Sequence, residues 1–94
     1  MTKADIVNDI VNKTDMDKLA VQTTVEAFMQ SIKNSMASGQ NVYLRGFGSF
    51  IIKKRAEKIG RNISLKQPVV IPAHFIPSFK PAKTFVNEVK AKVQ

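Results

Sequence analysis

The side chains able to do chemistry in this sequence are overwhelmingly lysine and arginine. Fifteen of them stand against seven acids, for a formal net charge of +8. Their distribution is uneven. Residues 1–44 hold four bases (Lys3, Lys13, Lys18, Lys33) and five acids (Asp5, Asp9, Asp15, Asp17, Glu26), a net of −1. Residues 45–94 hold eleven bases against only Glu57 and Glu88, a net of +9. A near-neutral half joined to a strongly basic half reads as a scaffold carrying a polyanion-binding surface. The partner classes this opens are nucleic acid, an anionic membrane and an acidic protein. Lys53, Lys54, Arg55, Lys58 and Arg61 follow one another closely, and Lys66 lies on the way back. Arg55 and Arg61 are the better candidates for reading acceptor atoms, because the guanidinium fork is planar and bidentate.

Other chemistries find little support. There is no cysteine and one histidine, His74, so neither disulfides nor a zinc site is expected. No nucleophile–base–acid order, phosphate-cradling glycine loop or apolar carboxylate pair is present. The expectation is therefore a non-enzyme without metal or cofactor. His74 reads as a structural or phosphate-contacting residue. Phe47, Phe50 and Phe79 have the chemistry to stack on single-stranded bases, but core anchorage is the stronger reading.

The elements that must position these residues change character midway. Thr2-Lys3-Ala4-Asp5 has the form of a capping box, and Ile6, Val7, Ile10 and Val11 then share one wide helical face. Residues 12–16 are polar and suit a turn, after which Asp17 can cap a second helix. There Val21, Val25, Phe28, Met29, Ile32 and Met36 fall in a single stripe, and Gly39 is placed to end it. Two such helices make a hairpin with too little partner surface of its own. A chain of 94 residues is marginal as a lone monomer, so a second subunit is the expected source of core. From residue 41 the pattern turns to strands. A short one (41–44) meets a tight turn at Arg45-Gly46-Phe47-Gly48. A long one (49–59) then begins apolar and becomes basic. Its basic part is too costly to bury, so it should leave the body as one side of a ribbon. Residues 60–66 read as the tip, and 67–72 as the return strand, with Pro68 and Pro72 suited to an edge or isolated ribbon. Residues 73–81 are extended. Ala82, Phe85, Val86, Val89 and Val93 give a short closing helix, with Pro81 near its first position.

The ordered set Gly46-Phe47-Gly48-Ser49-Phe50, Arg55, Gly60-Arg61-Asn62, Ile71-Pro72-Ala73 and Pro77-Ser78-Phe79-Lys80-Pro81-Ala82-Lys83 resembles the bacterial HU/integration host factor family. The resemblance covers essentially the whole chain. It implies an α+β fold: an intertwined dimer with an N-terminal helical hairpin, a three-stranded antiparallel sheet with a long protruding β-ribbon arm, and a short C-terminal helix. In one HU-like domain (1–94), residues 1–39 would form the dimerisation hairpin, 41–52 and 73–80 the sheet or saddle, 53–72 the arm, and 82–93 the last helix. Val25, Phe28, Met29, Ile32, Met36, Phe47, Phe50 and Phe79 would make the dimer core. The implied partner is double-stranded DNA, embraced through the minor groove and bent, by a homodimer or a heterodimer with a related chain. The implied place is the cytoplasm, on the nucleoid. No apolar run approaches the ~18 residues of a membrane span, and the N-terminus lacks a signal peptide's apolar region.

The implied DNA contacts are Arg45, Lys53, Lys54, Arg55, Lys58, Arg61, Asn62, Ile63, Lys66, His74, Lys80, Lys83 and Lys90. One position departs from the family pattern. Proline usually follows the Arg-Asn of the arm tip and wedges between base pairs, and here the residue is Ile63. Leu65 and Lys66 stand where the family's usual turn would be. Isoleucine is among the apolar side chains that minor-groove proteins insert between base steps. Ile63 is thus the expected wedge, against the alternative of a tip residue packed on its own arm. Asn62 has the alternatives of groove contact or a turn residue bonded to its own backbone. Rival readings are a site-specific DNA-bending factor of the same family, an RNA or single-strand binder, and a protein of anionic membrane surfaces. The last would need a basic helix with an exposed apolar face, whereas the bases here lie on the ribbon.

Overall fold

The structure is a computed structural model of the chain, and it describes residues 1–62 and 67–93, with 61, 62 and 67 described through their backbone. Ile63 and Lys66, the expected wedge and a base of the returning arm, lie outside the described residues. The chain forms two compact units, Met1–Ser35 and Met36–Gln94.

The first unit is the helical hairpin. Helix α1 spans Lys3–Thr14 and α2 spans Lys18–Ala37. The capping box at the start of α1 forms as expected. The Thr2 hydroxyl accepts from the Asp5 amide, and the Asp5 carboxylate accepts from the Thr2 amide at 2.9 Å. The helix runs three residues further into the polar stretch than expected, through Thr14. The Thr14 hydroxyl donates to the Ile10 carbonyl at 2.7 Å, which ties the last turn down. Asp15 then takes the left-handed conformation (φ 57°), which a short polar side chain tolerates. Asp17 caps α2 by accepting from the Ala20 amide at 3.0 Å. Between the helices Lys3 donates to Glu26 at 2.8 Å.

This hairpin buries little. Val7 and Val21, each 3% exposed, are the buried hydrophobic residues among those described. Part of the α2 stripe stays open: Phe28 is 50% and Met29 40% exposed, while Val25, Ile32 and Met36 are half-buried. Each large apolar side chain left in water forgoes roughly 1.5–3 kcal/mol of burial. A single chain therefore leaves Phe28 and Met29 of its stripe largely uncovered.

The second unit carries the strands. Strands β1 (Val42–Leu44) and β2 (Gly48–Arg55) form a hairpin; β3 (Lys58–Asn62) and β4 (Gln67–Ile71) form a two-stranded ribbon; and β5 (His74–Pro81) returns antiparallel to β2, giving a three-stranded sheet in the order β1-β2-β5. The β1–β2 turn closes through a Phe47 amide bond to the Leu44 carbonyl at 3.0 Å. Gly46 occupies its third position at φ +79°, the geometry that demands glycine in a type II turn. Gly48 is constrained differently. A Cβ there would lie 2.6 Å from the Phe79 ring and 2.7 Å from the Lys80 carbonyl, so β5 can approach only a glycine.

Three details differ from expectation. The strand expected over 49–59 is interrupted at Ala56 and Glu57, opposite Pro72 and Ala73. Pro72 has no amide to donate, so the ladder loses a rung there. The pairing Arg55↔His74 below and Lys58↔Ile71 above nevertheless keep the same register across the break. Gly60, Arg61 and Asn62, expected in the tip, belong to β3, where Asn62 pairs with Gln67. Pro81 ends β5 and does not start the last helix. Helix α3 spans Lys83–Lys92 with Ala82 as N-cap, and the Ala82 amide bonds to the Phe47 carbonyl at 2.9 Å. That bond fastens the start of α3 to the β1–β2 turn.

Candidate nucleic-acid interface

Side chains alternate across a strand, so the register sorts the sheet residues onto two faces. Tyr43 pairs with Ser49, Ser49 with Lys80, Lys53 with Ile76, and Arg55 with His74. These residues share one face. Phe50 pairs with Phe79, Ile52 with Pro77, and Lys54 with Phe75, on the other. The first face therefore gathers Lys53, Arg55, His74 and Lys80. The second gathers aromatic and aliphatic groups. Phe50 and Phe79 lie 4.9 Å apart between ring centroids, Phe47 and Phe79 5.2 Å, and Phe47 stacks on Phe85 of α3 at 5.7 Å.

The basic face continues around the turn. Arg45, Lys80 and Lys83 border an open concavity of about 350 Å³ that Tyr43 and Ser49 also line. Its far wall is the start of α3. The first turn of this helix has no acid, and Ala82 gives no side-chain cap, so Lys83 sits at the positive end of the helix dipole. A cation there is disfavoured unless an anion approaches, and free helix amides attract the same partner.

The structure separates two sequence-predicted residues from this group. Lys54 lies on the aromatic face of the sheet. Lys90 stands two turns beyond Lys83 and is among the residues lining an apolar groove of about 500 Å³ with Phe79, Phe85 and Val89. Lys58, Arg61 and Asn62 lie on the ribbon, in β3. Tyr43 was absent from the expected contacts, yet it is exposed on the basic face, its hydroxyl 3.3 Å from the Asn41 side-chain amide, whose oxygen in turn accepts from the Ile52 amide at 2.9 Å. The signal for it was the alternation Val42-Tyr43-Leu44, which turns Tyr43 away from its apolar neighbours.

Residues 1–90 match the family model described as Bacterial DNA-binding protein. The chain belongs to this HU/integration host factor family. It is 38% identical over 90 residues to DNA-binding protein HU of Staphylococcus aureus, covering 96% of this chain and 100% of that one. It is also 38% identical over 90 residues to the integration host factor subunit beta of Marinobacter nauticus, covering 95% and 92%. Among solved structures, a cocrystal of Anabaena HU with DNA superposes at a TM-score of 0.88, with 30% identity over 100% of both chains. HU from Thermotoga maritima superposes at 0.67 with 22% identity over 95% and 98%, a likeness of fold. The HU-like α+β fold expected from the motifs is thus the fold found. Among the described residues no helix is long and apolar enough to cross a membrane, and no group of three or more His, Cys, Asp and Glu side chains is placed to hold a metal.

Proposed function

We propose that this HU-family chain acts as a dimer that binds double-stranded DNA with little sequence preference, bends it through the minor groove, and so organises a bacterial nucleoid in the cytoplasm. The observation that carries this reading is the sorting of the sheet. One face collects Lys53, Arg55, His74 and Lys80, continued by Arg45 and Lys83, while the opposite face is aromatic and left open in a single chain. A dimer covers the second face and presents the first. Arg45, Lys80, Lys83 and Tyr43 hold flanking phosphates in this scheme. Lys53 and Arg55 lead into the ribbon, where Lys58, Arg61, Asn62 and Lys66 follow the groove, and Ile63 serves as the wedge. Lys54 and Lys90 are assigned weaker, peripheral contacts.

Affinity then comes mainly from counterion release. Two subunits engage roughly 8–12 phosphates, so binding falls steeply as salt rises. Selectivity comes from deformability, with flexible or nicked duplexes favoured because they require less bending work. The test compares wild type and Ile63→Ala on a plain and a centrally nicked duplex, with bending read by end-to-end energy transfer and with single-stranded DNA and RNA as competitors. Wild type is expected to bend DNA and favour the nicked duplex, and Ile63→Ala to bind while bending less. A preference for RNA or single strands, or the absence of bending, sinks the architectural reading. A strong preference for one duplex sequence replaces it with the site-specific alternative.

A further inference from the structure

His74 stands at the last rung of the body sheet, immediately below the break that separates it from the ribbon. Its ring is exposed, and Nδ1 lies 2.9 Å from the carbonyl oxygen of Pro72. A carbonyl oxygen only accepts, so Nδ1 carries the proton of that bond. The consequence falls on the other nitrogen. In the neutral ring with Nδ1 protonated, Nε2 bears a lone pair and faces phosphate oxygens as acceptor against acceptor. Only the imidazolium keeps the Pro72 bond and donates from Nε2 as well.

We infer that His74 is a phosphate-binding residue that makes its contact only as the imidazolium, so that DNA binding by this chain is tightened by mild acid. The inference rests on the DNA-binding reading above and adds a regulation to it. The step is balanced simply: a ring that is neutral before docking takes one proton from solvent onto Nε2 as a backbone phosphate docks, and returns it to solvent when the phosphate leaves. The charged neighbours facing His74 are Arg55 directly across on β2 and Lys53 one diagonal further, with Glu57 in the break itself. Arginine and lysine stay charged throughout the histidine range, and glutamate stays ionised there. The sign follows. Affinity is highest below the histidine range and falls as pH rises through it, by at most about tenfold per pH unit for each subunit's histidine.

The experiment measures binding of a fluorescein-labelled duplex at fixed ionic strength between about pH 8 and about pH 5.5, which brackets the ordinary histidine range. Wild type, His74→Gln and His74→Lys are compared, each checked for an unchanged thermal melt, since the residue is exposed. Calorimetric titration of the same duplex in two buffers of different ionisation enthalpy counts the protons directly. Wild type is expected to tighten toward acid and to take up protons. His74→Gln should lose both the slope and the uptake, and His74→Lys should bind tightly with no slope. A flat wild-type profile with normal duplex binding overturns the inference, as does a His74→Gln variant that retains the wild-type slope. If wild type fails to bind duplex at any pH, the DNA reading itself falls, an outcome distinct from pH-independent binding.

Discussion

The two faces of the β1-β2-β5 sheet are built from the same strands and have opposite needs. Along β2, Phe50 and Ile52 point one way, while Lys53 and Arg55 point the other. Phe79 and Lys80 do the same as consecutive residues of β5. The aromatic face gains by leaving water and is still open in one chain, with Phe47 46% and Phe79 38% exposed. The lysines and arginine of the basic face gain nothing by burial and must stay at the surface until an anion meets them. The period of two thus lets eight residues of β5 serve an assembly on one side and a ligand on the other. Damage to one face should therefore appear as lost stability, and damage to the other as lost affinity.

The sharpest way to break that division is on the aromatic side. Phe79→Ala should cost about 3 kcal/mol or more, because it removes the ring that contacts both Phe47 and Phe50. The melting temperature should drop and become strongly concentration-dependent, as read by calorimetry and sedimentation equilibrium. Gly48→Ala acts on the same face by overfilling it. Its methyl group would meet the Phe79 ring and the Lys80 carbonyl, for a cost of about 1–3 kcal/mol. If either variant melts like wild type while losing DNA, the faces are not divided as argued.

On the basic side the expectation reverses. Lys80→Ala with Lys83→Ala should leave stability within about 0.5 kcal/mol. The slope of log affinity against log salt should become shallower by about 1 per lysine in each subunit. A finer comparison uses adjacent residues. Lys53→Ala should weaken binding and reduce the salt slope more than Lys54→Ala, because the two lie on opposite faces. Equal losses would mean that DNA reaches around both faces at the base of the ribbon.

How much of this was legible beforehand depended on which physics set each feature. The capping box at Thr2 and Asp5, the Asp17 cap, the turn at Gly46 and the hairpin of helices are local, and the sequence states them. The separation of Lys54 from Lys53 and Arg55 is not local. It depends on the body sheet continuing to Arg55, two residues past the expected start of the arm at residue 53. The break at Ala56 and Glu57 was missed because its cause, Pro72, lies on the opposite strand. Tyr43 was missed because its neighbours on the basic face, Ser49 and Lys80, are brought beside it only by pairing. The last helix begins after Pro81 because that residue still pairs with Gly48 in the sheet. Long-range register, which periodicity alone does not supply, accounts for each of these differences.

The smallest expected effect lies in the first unit. Glu26 accepts from Lys3 across the helical hairpin at 2.8 Å. That hydrogen bond, and then the lysine's charge, hold the Glu26 carboxyl below its ordinary value. A carboxylate whose folded value is depressed contributes stability that is fully present above its unfolded value and is lost as pH falls through the folded one. Both partners are about half exposed, so solvent and salt screen the pair and the contribution at neutral pH is small. Glu26→Gln should accordingly lower the melting temperature slightly near neutrality, and the difference from wild type should vanish in acid, where protonated glutamate and glutamine at position 26 are alike uncharged. Thermal melts of the two proteins across that range, at low and at high salt, provide the check. A difference that persists unchanged into acid would show that Glu26 supports the hairpin by packing or by its hydrogen bond to Lys3, and that its charge contributes nothing.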